Sequence, residues 1–198
     1  MLSESTTSSF IDRLRAEKPN GEDELAYLAY QANCGLFCDM YGPLIRSWAV
    51  TRLHLQDSDA DDFVQEVLVV ALDKIHQFQV RDSFRGWLWT ILKNQVRMWR
   101  RKHQHDPVVR GGSTFHEIIE SLPDHAPRAE TDRVELDEGE LVERLRQHGC
   151  NQTEPTLRAF IHYCIFGRDP GDVAEDLGMS ISSVYQAKKR VGDSLSAR

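Results

Sequence analysis

An all-helical chain in two small lobes is what this sequence predicts, and three observations predict it. Between Val64 and Ile75, and again between Phe84 and Val96, apolar residues recur at the three-and-four spacing of a helix face. No stretch reads as a strand. The segment Asp169–Val191 places two capped helical patterns around a glycine turn, and a poorly periodic stretch from His103 to about Asp137, with Pro107, Gly111, Gly112, Pro123 and Pro127, separates it from the rest as a linker.

Residues 1–9 are polar and rich in Ser and Thr and read as disordered, without the basic start and apolar core of a signal peptide. A short helix is expected at Phe10–Glu17, stopped by Lys18, Pro19, Asn20 and Gly21. A longer pattern runs from Glu22 to about Tyr41, is interrupted at Gly42 and Pro43, and resumes from Leu44 to His54 with Leu44, Ile45, Trp48 and Leu53 facing inward. Asp57 or Ser58 is expected to cap the next helix, since a short side-chain oxygen satisfies free amides there and early acids suit the positive end of the helix dipole. Val64, Val67, Leu68, Ala71, Leu72 and Ile75 line its buried face. His76–Ser83 reads as a loop. Phe84–Lys102 is helical again, with Phe84, Leu88, Ile91, Leu92 and Val96 buried. Leu136–His148 forms a helix ended by Gly149, and a compact unit follows from about Thr153 to Leu195.

Charge is segregated along the chain. The net charge is −7, which by itself argues against nucleic acid. Yet Gln56–Asp73 holds six acids and no Lys or Arg, Arg81–Arg110 holds eight basic residues against Asp82 and Asp106, and Thr114–Glu143 holds ten acids against Arg128 and Arg133. The end of the chain, from Ile181, is basic again. Blocks of this kind mark surfaces with different partners. No run is long and apolar enough to span a membrane, so a cytoplasmic location is expected. The 4 cysteines suggest no disulfide framework. Cys34 and Cys38 share a helix face, but with His148 and Cys150 distant in sequence they read as ordinary thiols rather than a zinc or redox site. No metal, cofactor or catalytic residue is expected.

In the C-terminal unit Asp169 caps a first helix, Pro170 suits its first position, and Val173, Ala174 and Leu177 form its inner face. Gly178 permits the turn and Ser180 caps the second helix. Ile181, Val184, Ala187, Val191 and Leu195 are expected inside. Ser182, Ser183, Gln186, Lys189 and Arg190 then face outward, with Tyr185 and Lys188 at the edges. Small polar residues followed by base suit a helix entering the major groove: close approach, a base-reading Gln, phosphate-holding Lys and Arg.

Two motifs carry a family resemblance. Asp59-Ala-Asp-Asp-Phe-Val-Gln-Glu-Val67, followed by Phe84-Arg-Gly-Trp-Leu88 and Asn94, resembles region two of bacterial sigma factors of the short extracytoplasmic-function (ECF) class, in a planctomycete-like version. Val184-Tyr-Gln-Ala-Lys-Lys-Arg-Val191 resembles the region-four recognition helix of that class. The resemblance covers about 36–102 and 153–196. It implies a flexible 1–21 carrying a short helix, region two at 22–105, a linker at 106–150 and region four at 151–198. It also implies that Asp61, Asp62, Gln65 and Glu66 dock on the basic clamp helices of the largest polymerase subunit, with the flap of the second-largest subunit and promoter DNA as further partners. Phe78, Gln79 and Arg81, in a loop about two residues shorter than in many relatives, correspond to the pocket for a base flipped out of the −10 element. Arg85, Trp89, Lys93, Asn94, Arg97, Arg100 and Arg101 correspond to the helix that contacts and melts that element, with aromatics to stack on bases and cations to hold phosphate. Ser182, Ser183, Tyr185, Gln186, Lys188, Lys189 and Arg190 correspond to the −35 reader. With no long C-terminal extension, control by a separate anti-sigma factor is the default expectation.

Two rival readings fit parts of the sequence. A stand-alone helix-turn-helix regulator has no use for the Asp59–Val67 motif. A small hydrolase built on His103, His105 and Asp106 lacks a paired base, a nucleophile and a phosphate loop.

Overall fold

A computed structural model of the chain describes residues 9–15, 19, 23–79, 83–102, 120–123, 125–126 and 137–196; among these every regular element is helical. The elements are α1 (Ser9–Arg15), α2 (Glu24–Leu53), α3 (Asp57–Lys74), α4 (Phe84–Lys102), α5 (Glu138–Gln147), α6 (Glu154–Phe160), α7 (Pro170–Asp176) and α8 (Ile181–Ser196). A 3-10 turn at Ile75–Gln77 closes α3, and a π-type turn at Ile161–Ile165 extends α6.

The expected break at Gly42 and Pro43 does not occur. Asp23 accepts from the Ala26 amide to start α2, which then runs through Pro43 to a left-handed His54, where the Leu55 amide donates back to the Ala49 carbonyl. Proline inside a helix withholds a donor from the carbonyl four residues earlier. That carbonyl belongs to Asp39, and it accepts instead from Arg144 Nη1 at 2.9 Å. A side chain 105 positions away replaces the missing helical donor. The cap of α3 also differs from expectation: Gln56 holds the cap position with no side-chain bond, and Asp57 lies inside the first turn. Its carboxylate is taken by Arg46 at 2.8 Å.

Helices α2, α3 and α4 pack as one layered unit. Phe37, Tyr41, Ile45, Trp48, Phe63, Val67, Leu88 and Trp89 are all buried there. Trp48 and Trp89 meet edge to face with centroids 5.2 Å apart, and Phe63 meets Trp99 at 6.4 Å. Helices α7 and α8 close a smaller cluster of Ala159, Val173, Ala174, Val184 and Ala187. The large core does not stop at α4. It continues through Leu141, Leu145, Leu157, Ile161, Ile165, Val191 and Leu195, so the two lobes share buried apolar surface, with Ile11 and Leu14 of α1 in the same cluster. Helix α1 packs on both α2 and α8.

Candidate nucleic-acid and protein interfaces

Helix α3 turns its apolar side to the core and its acids outward. Asp61, Asp62 and Gln65 are exposed and Glu66 is half-buried. Asp62, Glu66, Val69 and Asp73 follow one another at helical spacing on one face. Val69 is 67% exposed in the middle of it, an apolar side chain between Glu66 and Asp73 in the helical row. The sequence reading missed Val69; its place seven residues after Asp62 was the available signal. Asp61 differs from its neighbours, because Arg46 Nε donates to it at 2.8 Å. Both carboxylate hydrogen bonds push the Arg46 pKa above its ordinary value.

Helix α4 sorts the expected −10 residues into two groups. Asn94, Arg97 and Arg101 are exposed and share a face with Thr90. Arg97 Nη1 donates to Asn94 Oδ1 at 3.3 Å. Met98, 58% exposed, lies on the same face and was also missed, although it stands four residues after Asn94. Lys93 is half-buried and donates to the Pro123 carbonyl at 3.3 Å.

The other group lies inside. Trp89 is 0% exposed against Trp48, and its indole N–H donates to the same Pro123 carbonyl at 2.9 Å. Phe78 is buried against Phe84 and Trp87. Arg85 is 6% exposed, with its guanidinium 4.8 Å from the Trp48 ring and donating to the Ile165 carbonyl at 2.7 Å. These three side chains are therefore not on an open nucleic-acid face in this arrangement. An amphipathic helix must bury a stripe, and Phe84, Arg85, Leu88, Trp89 and Leu92 form it. Gln79 is exposed beyond the 3-10 turn. Arg81, the Arg100 side chain, His103, His105 and Asp106 lie outside the described residues.

The C-terminal lobe folds as its caps dictate. Asp169 accepts from the Gly171 amide at 2.7 Å, Gly178 turns at φ +62°, and Ser180 accepts from the Ser183 amide at 3.1 Å. Val184, Ala187, Val191 and Leu195 are buried. Ile181 is not: as the first residue of α8 it is 50% exposed. Ser182, Tyr185, Gln186, Lys189 and Arg190 are exposed, and Ser183 and Lys188 are half-buried. Ser183 shares its hydroxyl with Ser180 at 2.9 Å, and Arg190 donates to Gln186 Oε1 at 3.2 Å. Tyr185 stacks edge to face on Tyr163 at 5.6 Å, with Lys188 5.9 Å from the Tyr163 ring. Beneath them burial pushes the Cys164 thiol up to about 12, against the pull of Lys188.

Residues 37–105 match the family described as Sigma-70 region 2. This segment belongs to the sigma-70 family. It holds both the acidic face of α3 and the basic face of α4. The chain is also 34% identical over 107 residues to the ECF RNA polymerase sigma factor EcfG of Rhodopseudomonas palustris (strain TIE-1), covering 50% of this chain and 58% of that protein's length. A solved structure described as CnrH in complex with the cytosolic domain of CnrY aligns over 96% of this chain and 94% of its own, at 17% identity and a TM-score of 0.34. Among the described residues no group of three His, Cys, Asp or Glu side chains is placed to hold a metal ion, and no helix is long and apolar enough to cross a membrane.

Proposed function

We propose that this chain is an ECF-type sigma factor, which binds core RNA polymerase and directs it to promoters. One observation carries the reading: within the region-2 segment, α3 turns carboxylates outward while α4 presents Asn94, Arg97 and Arg101 on an open face. One lobe thus offers a surface for a basic protein and a surface for nucleic acid. Asp62, Gln65 and Glu66, with Val69 as an apolar anchor, would meet the clamp helices of the largest subunit, where complementary charge sets the on-rate and the register. The α4 face would hold the −10 element through Arg97 and Arg101 on phosphate and Asn94 on a base edge. Helix α8 would lie in the major groove of the −35 element, with Ser182, Ser183 and Gln186 nearest the bases and Lys189 and Arg190 on phosphate. The chain makes and breaks no bond in this role.

The competing reading is a regulator that binds promoter DNA without polymerase. Gel filtration of the full chain with core polymerase separates the two. A sigma factor co-migrates with the enzyme; a stand-alone regulator elutes alone.

A further inference from the structure

Tyr163 lies outside α8 and yet touches two of the residues that α8 would offer to the −35 element. Its ring meets Tyr185 edge to face, with centroids 5.6 Å apart and planes at 88°. Lys188 Nζ stands 5.9 Å from the centroid of the same ring. Both distances fall where aromatic pairs and cation–π pairs attract. Tyr185 and Lys188 are three positions apart and share a face of α8, so one ring from another element steadies both. That ring is itself held. The chain at Ile161–Ile165 makes a π-type turn, closed by the Phe166 amide donating to the Ile161 carbonyl at 2.9 Å. Ile161 and Ile165 stay buried in the large core. Tyr163, two residues after Ile161, comes out on the opposite side of the turn, half-buried against the small cluster that α7 and α8 close. Turns of this kind are rare and recur at functional sites.

Tyr185 is 48% exposed and sits among the N-terminal residues of α8, which reach base edges when such a helix enters the major groove. A surface side chain ordered only on binding costs affinity; a ring already packed on Tyr163 has less freedom to lose. The apolar group that bases present in that groove is the C5-methyl of thymine, and a fixed aromatic ring is suited to cover it.

We propose that Tyr163 is a positioning residue for −35 recognition, holding the Tyr185 ring where it covers a thymine methyl group. The inference rests on the proposed role of α8 and deepens it. It names a residue outside the recognition helix that sets a preference for T, and it assigns that preference to the Tyr185 ring rather than to its hydroxyl.

Holoenzyme reconstituted from the full chain and core polymerase tests this by selecting promoters randomised across the −35 element. Each thymine of the selected element is then replaced by deoxyuridine, which removes only the methyl group. The wild type should select T at a position where deoxyuridine lowers affinity about fourfold, the worth of one buried carbon. Tyr163→Leu keeps apolar bulk but no ring. It should bind the thymine and deoxyuridine duplexes alike, with preferences at the other positions and helical circular dichroism unchanged. Tyr163→Phe and Tyr185→Phe should both keep the wild-type difference. Should Tyr163→Leu lose helicity, Tyr185→Ala, on the exposed side of the pair, should erase the same difference in a folded chain. A wild type indifferent to every methyl group would overturn the inference. So would a folded Tyr163→Leu or Tyr185→Ala that discriminates as the wild type does, or a Tyr163→Leu loss spread evenly over all positions. Loss of the difference in Tyr185→Phe would assign the contact to the hydroxyl and overturn it too. If the holoenzyme selects nothing but the chain alone selects a duplex, the sigma-factor reading falls and the deoxyuridine comparison is made with the chain alone. Selection by neither removes both.

Discussion

Arg46 holds Asp61 at 2.8 Å through Nε, and the same guanidinium reaches Asp57 at 2.8 Å. One cation of α2 therefore occupies the start of α3 and leaves the acidic face to begin at Asp62. The four carboxylate and amide residues that the family motif groups together are thus not equivalent: Asp61 belongs to the fold as much as to the surface.

Reversing Asp62 and Glu66 to Lys should weaken binding to core polymerase about tenfold or more, equivalent to about 1.4 kcal/mol, with the helical fold retained. Asp61→Lys should behave differently. It puts a like charge beside Arg46, leaving that guanidinium only Asp57 of the two carboxylates, and should cost stability as well, on the order of 0.2–1 kcal/mol for an exposed pair. Surface plasmon resonance on immobilised core enzyme and thermal denaturation read the two effects separately; equal affinity for the Asp62/Glu66 variant would place the docking surface elsewhere.

Arg97→Ala with Arg101→Ala should impair opening of the −10 region while leaving polymerase binding intact. Permanganate footprinting of unpaired thymines reads this directly. Normal thymine reactivity would show that the open face of α4 does not hold the melted element.

Trp89 should act through the core. Trp89→Ala is expected to cost about 3–5 kcal/mol in urea denaturation, the usual range for a buried large aromatic. Trp89→Phe should keep most of the packing on Trp48 and leave promoter opening intact. A folded Trp89→Phe protein unable to open a promoter would return the indole to the DNA surface.

Lys189→Ala should weaken binding of the −35 element roughly uniformly across sequences and lower the salt-dependence slope by about 1. A changed sequence preference, measured by binding selection, would mean that α8 sits in the groove in another rotation.

Acid should loosen the C-terminal lobe. Arg168 donates to His162 Nδ1 at 3.1 Å, and a guanidinium only donates, so the ring proton sits on Nε2 facing Glu138 at 3.1 Å. Burial lowers the His162 pKa below 6.5, with Glu138 opposing and Arg168 reinforcing. The folded state then binds fewer protons than the unfolded one as pH falls through about 6.5, so stability is full above that value and declines below it. Glu138, lowered chiefly by Arg158, adds a loss in the same direction below its ordinary 4.5. Melting between pH 7.5 and 5.5 should drop for the wild type and flatten for His162→Gln; identical slopes would remove His162 from the account.

The helices were legible because their periodicity is local, and so were the caps at Asp169 and Ser180 with the turn at Gly178. What escaped was tertiary. Pro43 reads as a helix break until Arg144 supplies the donor that its ring removes. Arg85 reads as one more cation on a nucleic-acid helix until the Ile165 carbonyl, 80 positions on, turns it inward. Trp89 and Trp87 look alike in sequence, but only Trp89 falls on the stripe that meets Trp48. Val69 and Met98 were overlooked for the opposite reason, since an apolar residue is expected inside and both are mostly exposed.

Run-off transcription with core polymerase freed of its own specificity subunit tests the central claim most directly. Adding the chain to templates from a genomic promoter library should yield discrete transcripts that share a −10 and −35 motif and vanish with the Asp62/Glu66 reversal. No transcripts on any template across low and moderate salt, from a folded chain, would contradict it.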